Sequence, residues 1–425
     1  MSSLPMLKKR LDNSMARMAD CDALVLGGGI TGITTAVALQ SVGVRTGILT
    51  EFVPLQANGE GDRCMVPTGY AMASAYPHNL RVTNLLQISA ASQAVFRYLS
   101  TVCKSGVEQY RMYEVYEDEP EEAPLSSYRM GFHKFDGTPE TLKRTINPPS
   151  RPDAEYLWGW VFNTYFADMP RYLAFLWSLF RELGGVVEIA KVNSLDETLS
   201  CAAGRPVVNC LGYGAIELVD DSSPATIVRG KQVLVPGAPC LFSPEKVPIA
   251  YNYTPPAAIF GRADGKAEYV HFFPRSDGWV LGQTREPGSI DHAGQWQGAS
   301  AVCDERLLNG CGIPLPIIDL NESILHNWFG CSLTNRRLVG RVGYRYYRDP
   351  EGEGVRLGLD IRNRSSIIHN YGHGGSGITM SWGCALECVR IMESASEIKP
   401  RGSKGLGALS DLLVELVQQA CGSAH

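Results

Sequence analysis

Ala23-Leu24-Val25-Leu26-Gly27-Gly28-Gly29-Ile30-Thr31-Gly32 decides how this chain begins to fold. Four apolar residues run into a glycine cluster. Ile33, Ala36 and Val37 then recur at helical spacing, and Gly43 closes the run. A second apolar run, Thr46-Gly47-Ile48-Leu49-Thr50, leads into Glu51. The order strand, glycine turn, helix, strand predicts a βαβ unit. In Gly27-x-Gly29-x-x-Gly32 the first glycine permits the tight turn. The second lets backbone approach a pyrophosphate, and the third lets helix and strand pack closely. The helix start offers free N–H groups and the positive end of its dipole to phosphates. Gly27, Gly28, Gly29, Ile30, Thr31 and Gly32 are therefore candidate dinucleotide contacts, and Glu51 is a candidate acceptor for ribose hydroxyls. The motif alone does not choose between FAD and NAD.

Outward from this unit, the 425 residues are 44% hydrophobic and 20% charged. Those proportions suit a globular chain with a sizeable core, of one large interleaved domain or two ordinary ones. A formal net charge of −5 is unlike the footprint of a nucleic-acid binder. Ala23 to Val44 carries no charge and is long enough to suggest a membrane span, but its glycines, threonines, Gln40 and Ser41 fit strand, turn and helix better. The twelve cysteines form no CxxC pair and have no histidine cluster beside them, so they read as thiols in a reducing compartment, with no metal site. Met1 to Asp20 lacks the apolar core of a signal peptide and reads as a frayed or surface-packed tail. The chain ends Gly422-Ser423-Ala424-His425, without a peroxisomal Ser-Lys-Leu. A cytoplasmic protein is the expectation.

Further along, helices are expected over 82–102 and 169–183 and from about Gly377 to Glu393. Strands are expected at 186–190, 207–210, 231–235, 269–273, 279–282 and 367–371. Segments 59–67 and 114–124 read as loops. Leu409, Leu412, Leu413 and Leu416 form an apolar stripe at helical spacing. That helix either packs back on the body or joins two copies as a homodimer.

Ile367-Ile368-His369-Asn370-Tyr371-Gly372-His373-Gly374-Gly375-Ser376-Gly377-Ile378-Thr379-Met380-Ser381-Trp382-Gly383-Cys384-Ala385-Leu386-Glu387 resembles the C-terminal signature of D-amino-acid and D-aspartate oxidases. Other segments resemble the same family in the same order: Val208-Asn209-Cys210-Leu211-Gly212, Arg229-Gly230-Lys231-Gln232, Phe273-Pro274-Arg275 with Leu281-Gly282-Gln283-Thr284-Arg285, and Gly343-Tyr344-Arg345-x-x-Arg348. The resemblance covers about residues 22 to 395. It implies an α/β fold in which a Rossmann-like FAD-binding domain (22–58, 184–220, 335–395) interleaves with an α+β substrate domain built on a mixed sheet (59–183, 221–334). Tails at 1–20 and 400–425 lie outside it. It also implies FAD as cofactor, with contacts at Val192 and at Gly374, Gly375, Ser376, Gly377, Ile378 and Thr379. The bare backbone N–H groups of that glycine turn suit a flavin edge where negative charge gathers on reduction.

By the same resemblance, Arg348 matches the arginine that clamps a substrate carboxylate, a task that suits its planar fork, and Arg345 is structural. The other reading of Arg348 is a surface arginine. His271 stands where the family usually has a tyrosine. Tyr269 shares its face of the strand, so either could supply a second carboxylate contact, and a histidine could also act as base toward the substrate ammonium. The alternative is a packed histidine. Arg285 matches the arginine that D-aspartate oxidases set against a side-chain carboxylate, which hints at an acidic or polar substrate. Asp62 to Thr68 and Ser74 depart from the family. Oxidative deamination of a small amino-acid-like substrate with O2 as electron acceptor is the leading expectation. A specialised biosynthetic amine or imino-acid oxidase, and a binding protein that holds FAD without turnover, are the alternatives.

Overall fold

A computed structural model describes residues 4–53, 71–72, 82–120, 130–219, 221–291, 295–298, 300, 303–349, 351–362, 364–395 and 408–422. The expected loop 59–67, the Asp62–Thr68 departure and Ser74 lie outside them, as does the end of the acidic stretch 114–124.

Two sheets carry the architecture. The first has six strands in the order Arg356–Arg362, Ser365–Tyr371, Val207–Asn209, Ala23–Leu26, Thr46–Thr50 and Val186–Ile189. All pairs are parallel except the outermost, Arg356–Arg362 with Ser365–Tyr371. The short runs Ala23–Leu26 and Thr46–Thr50 are buried at every position, as expected of parallel strands covered on both faces. On one face lies the helix Ile30–Ser41. It carries no charged residue and is buried from Gly32 onward, because helices Met169–Glu182, Ser381–Ala395 and Ala408–Gly422 pack against it. Its Gln40 is satisfied by Leu183 O at 2.7 Å and by Thr46 N at 2.8 Å. The other face is covered in part by a docked helix, Leu4–Arg17, with Leu11 and Met15 packed against Leu24 and Leu49 and Arg17 Nε on Glu188 at 2.5 Å.

The second sheet has eleven strands and is mixed, with Ile249–Thr254 running parallel to Val107–Tyr116 and its other pairs antiparallel. Helix Leu315–Phe329 packs on one face against Val233, Tyr251, Phe272 and Leu281. Along Val270–Arg275 every residue is buried. Val270 and Phe272 face that helix, while His271 and Phe273 alternate to the opposite face and stack at 4.2 Å. Strand Val339–Arg348 falls in a segment expected to join the FAD-binding pieces. It pairs instead with Ala225–Pro236 of this second sheet along its whole length.

The C-terminal stripe places Leu409 and Leu413 in the core beside Val37 and Val389. Leu413 is fully buried, so Leu413→Ala is expected to destabilise the protein by about 2–5 kcal/mol. Urea unfolding measures it. A loss under about 0.5 kcal/mol would mean the helix is not part of the body.

Candidate active site

Five parallel strands end on the same side of the first sheet, and the glycine turns grow from those ends. Gly27 has φ +100°, and a Cβ on it would stand 2.6 Å from Cys210 O. A Cβ on Gly32 would stand 1.9 Å from Gly27 O. Neither position admits a larger residue, so the turn from Leu26 into the helix is held tight. A Cβ on Gly29 would meet no described atom within 4 Å, which leaves a cradle in front of the helix N-terminus. The Thr35 hydroxyl joins three distant stretches of chain. It donates to Thr31 O at 2.7 Å and accepts from Asn370 Nδ2 at 3.2 Å and from Cys210 Sγ at 3.8 Å. The glycine turn near residue 30 and the one near residue 375 thereby open from the same strand ends, the crevice where ligands bind in open α/β sheets. Glu51, exposed at the end of strand Thr46–Thr50, lies 3.9 Å from Nζ of Lys191, the residue that precedes the buried Val192. Among the described residues no cluster of three or more His, Cys, Asp or Glu could hold a metal, and no helix is long and apolar enough to cross a membrane.

The second sheet meets this crevice through Val339–Arg348. Residues two apart on a strand share a face, and residues three apart do not. Tyr347 faces the C-terminal glycine turn, where a Cβ on Gly374 (φ +54°) would stand 2.1 Å from its ring. Arg345 shares that face. Its Cδ would lie 3.6 Å from a Cβ on Gly375, and Gly230 leaves it room, since a Cβ there would stand 3.0 Å from Arg345 Nη1. Arg345 Nη2 donates to Gln283 Oε1, and Gln283 Nε2 bonds the Tyr269 hydroxyl. Arg345 Nη1 is buried without a hydrogen-bond partner among the described residues, and so is His271 Nε2.

Arg348 goes the other way. Its Nε donates to Asp221 Oδ2 at 2.7 Å, Nη1 to Gly354 O at 3.0 Å and Nη2 to Ser223 Oγ at 2.7 Å. Tyr371 also donates to Asp221 Oδ2, at 2.6 Å. Burial alone would raise the Asp221 pKa, but the bonds from Arg348, Tyr371 and Ser223 outweigh it and hold the carboxyl below its usual range. The expected carboxylate clamp at Arg348 is thus corrected. Its donors are consumed by a structural ion pair, and strand parity turns it from the glycine turn that Arg345 faces.

The structure brings Tyr269, His271 and Arg285 together with Arg345 and Gln283. Gly282 leaves room for the His271 ring, since a Cβ there would stand 2.5 Å from it. Burial, then the charge of Arg345, pushes His271 down to about 3, so the ring is neutral near pH 7 and a poor base. Burial pushes Tyr269 up. Arg285 lies over the Tyr269 ring at 4.7 Å and is ion-paired to the buried Glu268, Nη2 to Oε1 at 2.8 Å. The reading of the sequence passed over Gln283 and Glu268 and set Arg345 aside as structural. Parity was the available signal for Arg345, because only one of Arg345 and Arg348 can face the crevice.

A family model described as DAO, FAD dependent oxidoreductase, matches residues 22–390. The chain belongs to that family. FAD is its cofactor, and the cradle before the helix at Ile30 and the crevice at Thr35 fit such a group. The chain is similar to a D-amino-acid oxidase of Rubrobacter xylanophilus, 30% identical over 378 residues that cover 88% of this chain and 96% of the relative. It is similar also to a D-aspartate oxidase of Talaromyces thermophilus, at 27% identity over 88% and 96%. The solved structure of dithionite-reduced L-α-glycerophosphate oxidase from Mycoplasma pneumoniae, with FAD bound, shares the fold at a TM-score of 0.56 and 16% identity, covering 90% of this chain and 97% of that one.

The Arg348–Asp221 pair generates a stability prediction. Both side chains are nearly buried, so Asp221→Asn strands a buried cation and costs about 3–5 kcal/mol at pH 7. The folded carboxyl titrates below its unfolded value of about 3.9. Its contribution is therefore full above that pH and shrinks as pH falls through it. Urea unfolding of wild type and D221N at pH 7, 5 and 3.5 measures the gap. A gap that stays constant down to pH 3.5 would refute the assignment.

Proposed function

We propose that this protein is an FAD-dependent oxidase of D-amino acids, acting on the carbon that bears the amine. The observation that carries the reading is Arg345: a half-buried side chain facing the C-terminal glycine turn, whose buried Nη1 has no partner among the described residues. A substrate carboxylate completes it with two parallel charge-assisted bonds. The resemblance to D-amino-acid and D-aspartate oxidases supports the substrate class.

Gly27, Gly28, Gly29, Ile30, Thr31 and Gly32 would hold the pyrophosphate, Glu51 the ribose, Val192 a further part through its backbone, and Gly374 to Thr379 the flavin edge. Bound FAD would supply a two-electron hydride acceptor that O2 can reoxidise with formation of hydrogen peroxide. The chain's own residues orient the substrate. Arg345 fixes the carboxylate, and Gln283 bridges Arg345 to Tyr269, so the two donors are held in one geometry. His271 is neutral and offers Nε2 as a hydrogen-bonding partner, not as the base. The substrate amine gives its proton to solvent. The α-hydrogen leaves as hydride, and the imine is released and hydrolyses to the 2-oxo acid and ammonia.

The test is anaerobic mixing of the holoenzyme with paired D- and L-amino acids while the visible flavin band is followed. D-enantiomers are expected to bleach it, and air to restore it with hydrogen peroxide formed. Arg345→Met is expected to lower kcat/KM on the best D-amino acid by at least about a hundredfold, because two bonds of about 1.5–3 kcal/mol each are lost. Bleaching only by a modified amine would move the reading to a specialised biosynthetic oxidase. A yellow protein that no amine bleaches would leave it an FAD-binding protein without turnover.

A further inference from the structure

A free guanidinium at Arg285 would draw a second substrate carboxylate, but the Arg285 of this chain is not free. Glu268 Oε1 accepts from Arg285 Nε at 2.9 Å and lies 2.8 Å from Nη2, while Oε2 accepts from the Arg285 backbone N–H at 2.9 Å. Oε1 also accepts from Tyr269 N at 3.1 Å. The pair is lopsided: the Glu268 side chain is 3% exposed and that of Arg285 is 37% exposed. The carboxylate is thus locked in place by backbone, and the outer edge of the guanidinium reaches a cavity of about 280 Å³, lined also by Phe260, Arg262, Thr284 and Glu286. Each cation in that lining has its own carboxylate. Arg262 is ion-paired to Asp264, and Glu286 is held by Arg229 at 2.6 Å. The inner face of Arg285 is spent on the Tyr269 ring.

We infer that Glu268 is a specificity-determining residue: by holding Arg285 in a neutral ion pair, it turns the side-chain end of the site against a second carboxylate and toward uncharged side chains. This rests on the reading of the site as one for D-amino acids. A carboxylate arriving at Arg285 meets a buried carboxylate of the same sign on the same guanidinium, and like charges there disfavour the ionised form of either. A carboxamide of the same shape meets no such repulsion, and it can donate to Glu268 as well as accept from Arg285. Specificity here is set by a repulsive element next to an attractive one.

The discriminating pair is D-Asn against D-Asp, which match in shape and differ in charge. Wild-type holoenzyme is expected to favour D-Asn by at least about tenfold in kcat/KM, read from anaerobic flavin reduction. E268Q is expected to move that ratio toward D-Asp by about tenfold or more, and Arg285→Leu added to E268Q to remove the shift. A readout without turnover uses the thermal unfolding of the holoenzyme with malonate or its monoamide, malonamate. Malonamate is expected to give the larger upshift in wild type, and malonate in E268Q. The inference is overturned if wild type favours D-Asp, or if E268Q folds and leaves both ratios where they were. If E268Q does not fold, the wild-type ratios alone decide. If no D-amino acid bleaches the flavin, the reading of the site fails, while the malonate and malonamate shifts still report whether Glu268 repels a second carboxylate.

Discussion

The crowding of three chain segments around Thr35 is the constraint on which the rest depends. Strands Ala23–Leu26, Val207–Asn209 and Ser365–Tyr371 lie side by side in parallel, and each must turn away at its carboxyl end within the same few ångströms. Gly27 lies against Cys210 O, Gly32 against Gly27 O, and Asn370 reaches the Thr35 hydroxyl. A side chain at Gly27 or Gly32 would push these turns apart, and the cradle before the helix at Ile30 would open. Backbone packing at the strand ends therefore brings the turns near residues 30 and 375 to one side of the sheet. The uncharged, largely buried helix Ile30–Ser41 then fixes the direction of the crevice relative to the sheet.

The second sheet adds chemistry to the crevice through strand parity. Between Tyr344 and Arg348 the side chains alternate, so Arg345 and Tyr347 meet the glycine turn while Tyr346 and Arg348 enter the other side. There Tyr346 stacks with Tyr371 and Arg348 pairs with Asp221. The two arginines divide two jobs. Arg348, with Asp221, ties strand Val339–Arg348 to Ser365–Tyr371 and so joins the two sheets. Arg345 keeps a nitrogen available because Gly230, on the neighbouring strand, yields space, and because Gln283 engages only its other nitrogen. The joint stands three residues beyond Arg345. Movement at the ion pair would therefore be felt at the Arg345 guanidinium.

Much of this was legible in the sequence because it depends on backbone. The βαβ unit, the glycine turns and the long strand-turn-helix at Ile367–Glu387 are local patterns whose geometry admits few alternatives. That Tyr269 and His271 share one face was also legible, since side chains alternate along a strand; Arg285 was singled out only by its match to a family motif. What the sequence did not disclose are the partners of charged groups. Nothing near Arg348 in the chain names Asp221, more than a hundred residues earlier, as its counterion, and a motif match put the clamp on an arginine whose donors are already taken. The first 20 residues read as a tail because their apolar positions, Leu11, Met15 and Met18, are sparse. Their burial depends on a sheet face that only tertiary structure creates.

Buried ion pairs also decide what the candidate site can do with charge. Arg285 and Arg345 would together make the crevice strongly cationic if both were unpaired. Glu268 removes one of the two, and its own position is fixed by the backbone N–H groups of Tyr269 and Arg285, residues that flank the hairpin carrying His271. The neutralising carboxylate is therefore built into the same backbone that builds the site, so a change of hairpin geometry would alter charge and shape together. With Arg285 neutralised, the remaining attraction is concentrated at Arg345, beside the glycine turn. On the proposed function, one carboxylate would be drawn to one place, and its orientation would follow from a single strong anchor, with Tyr269 and the uncharged His271 left to set distance and tilt.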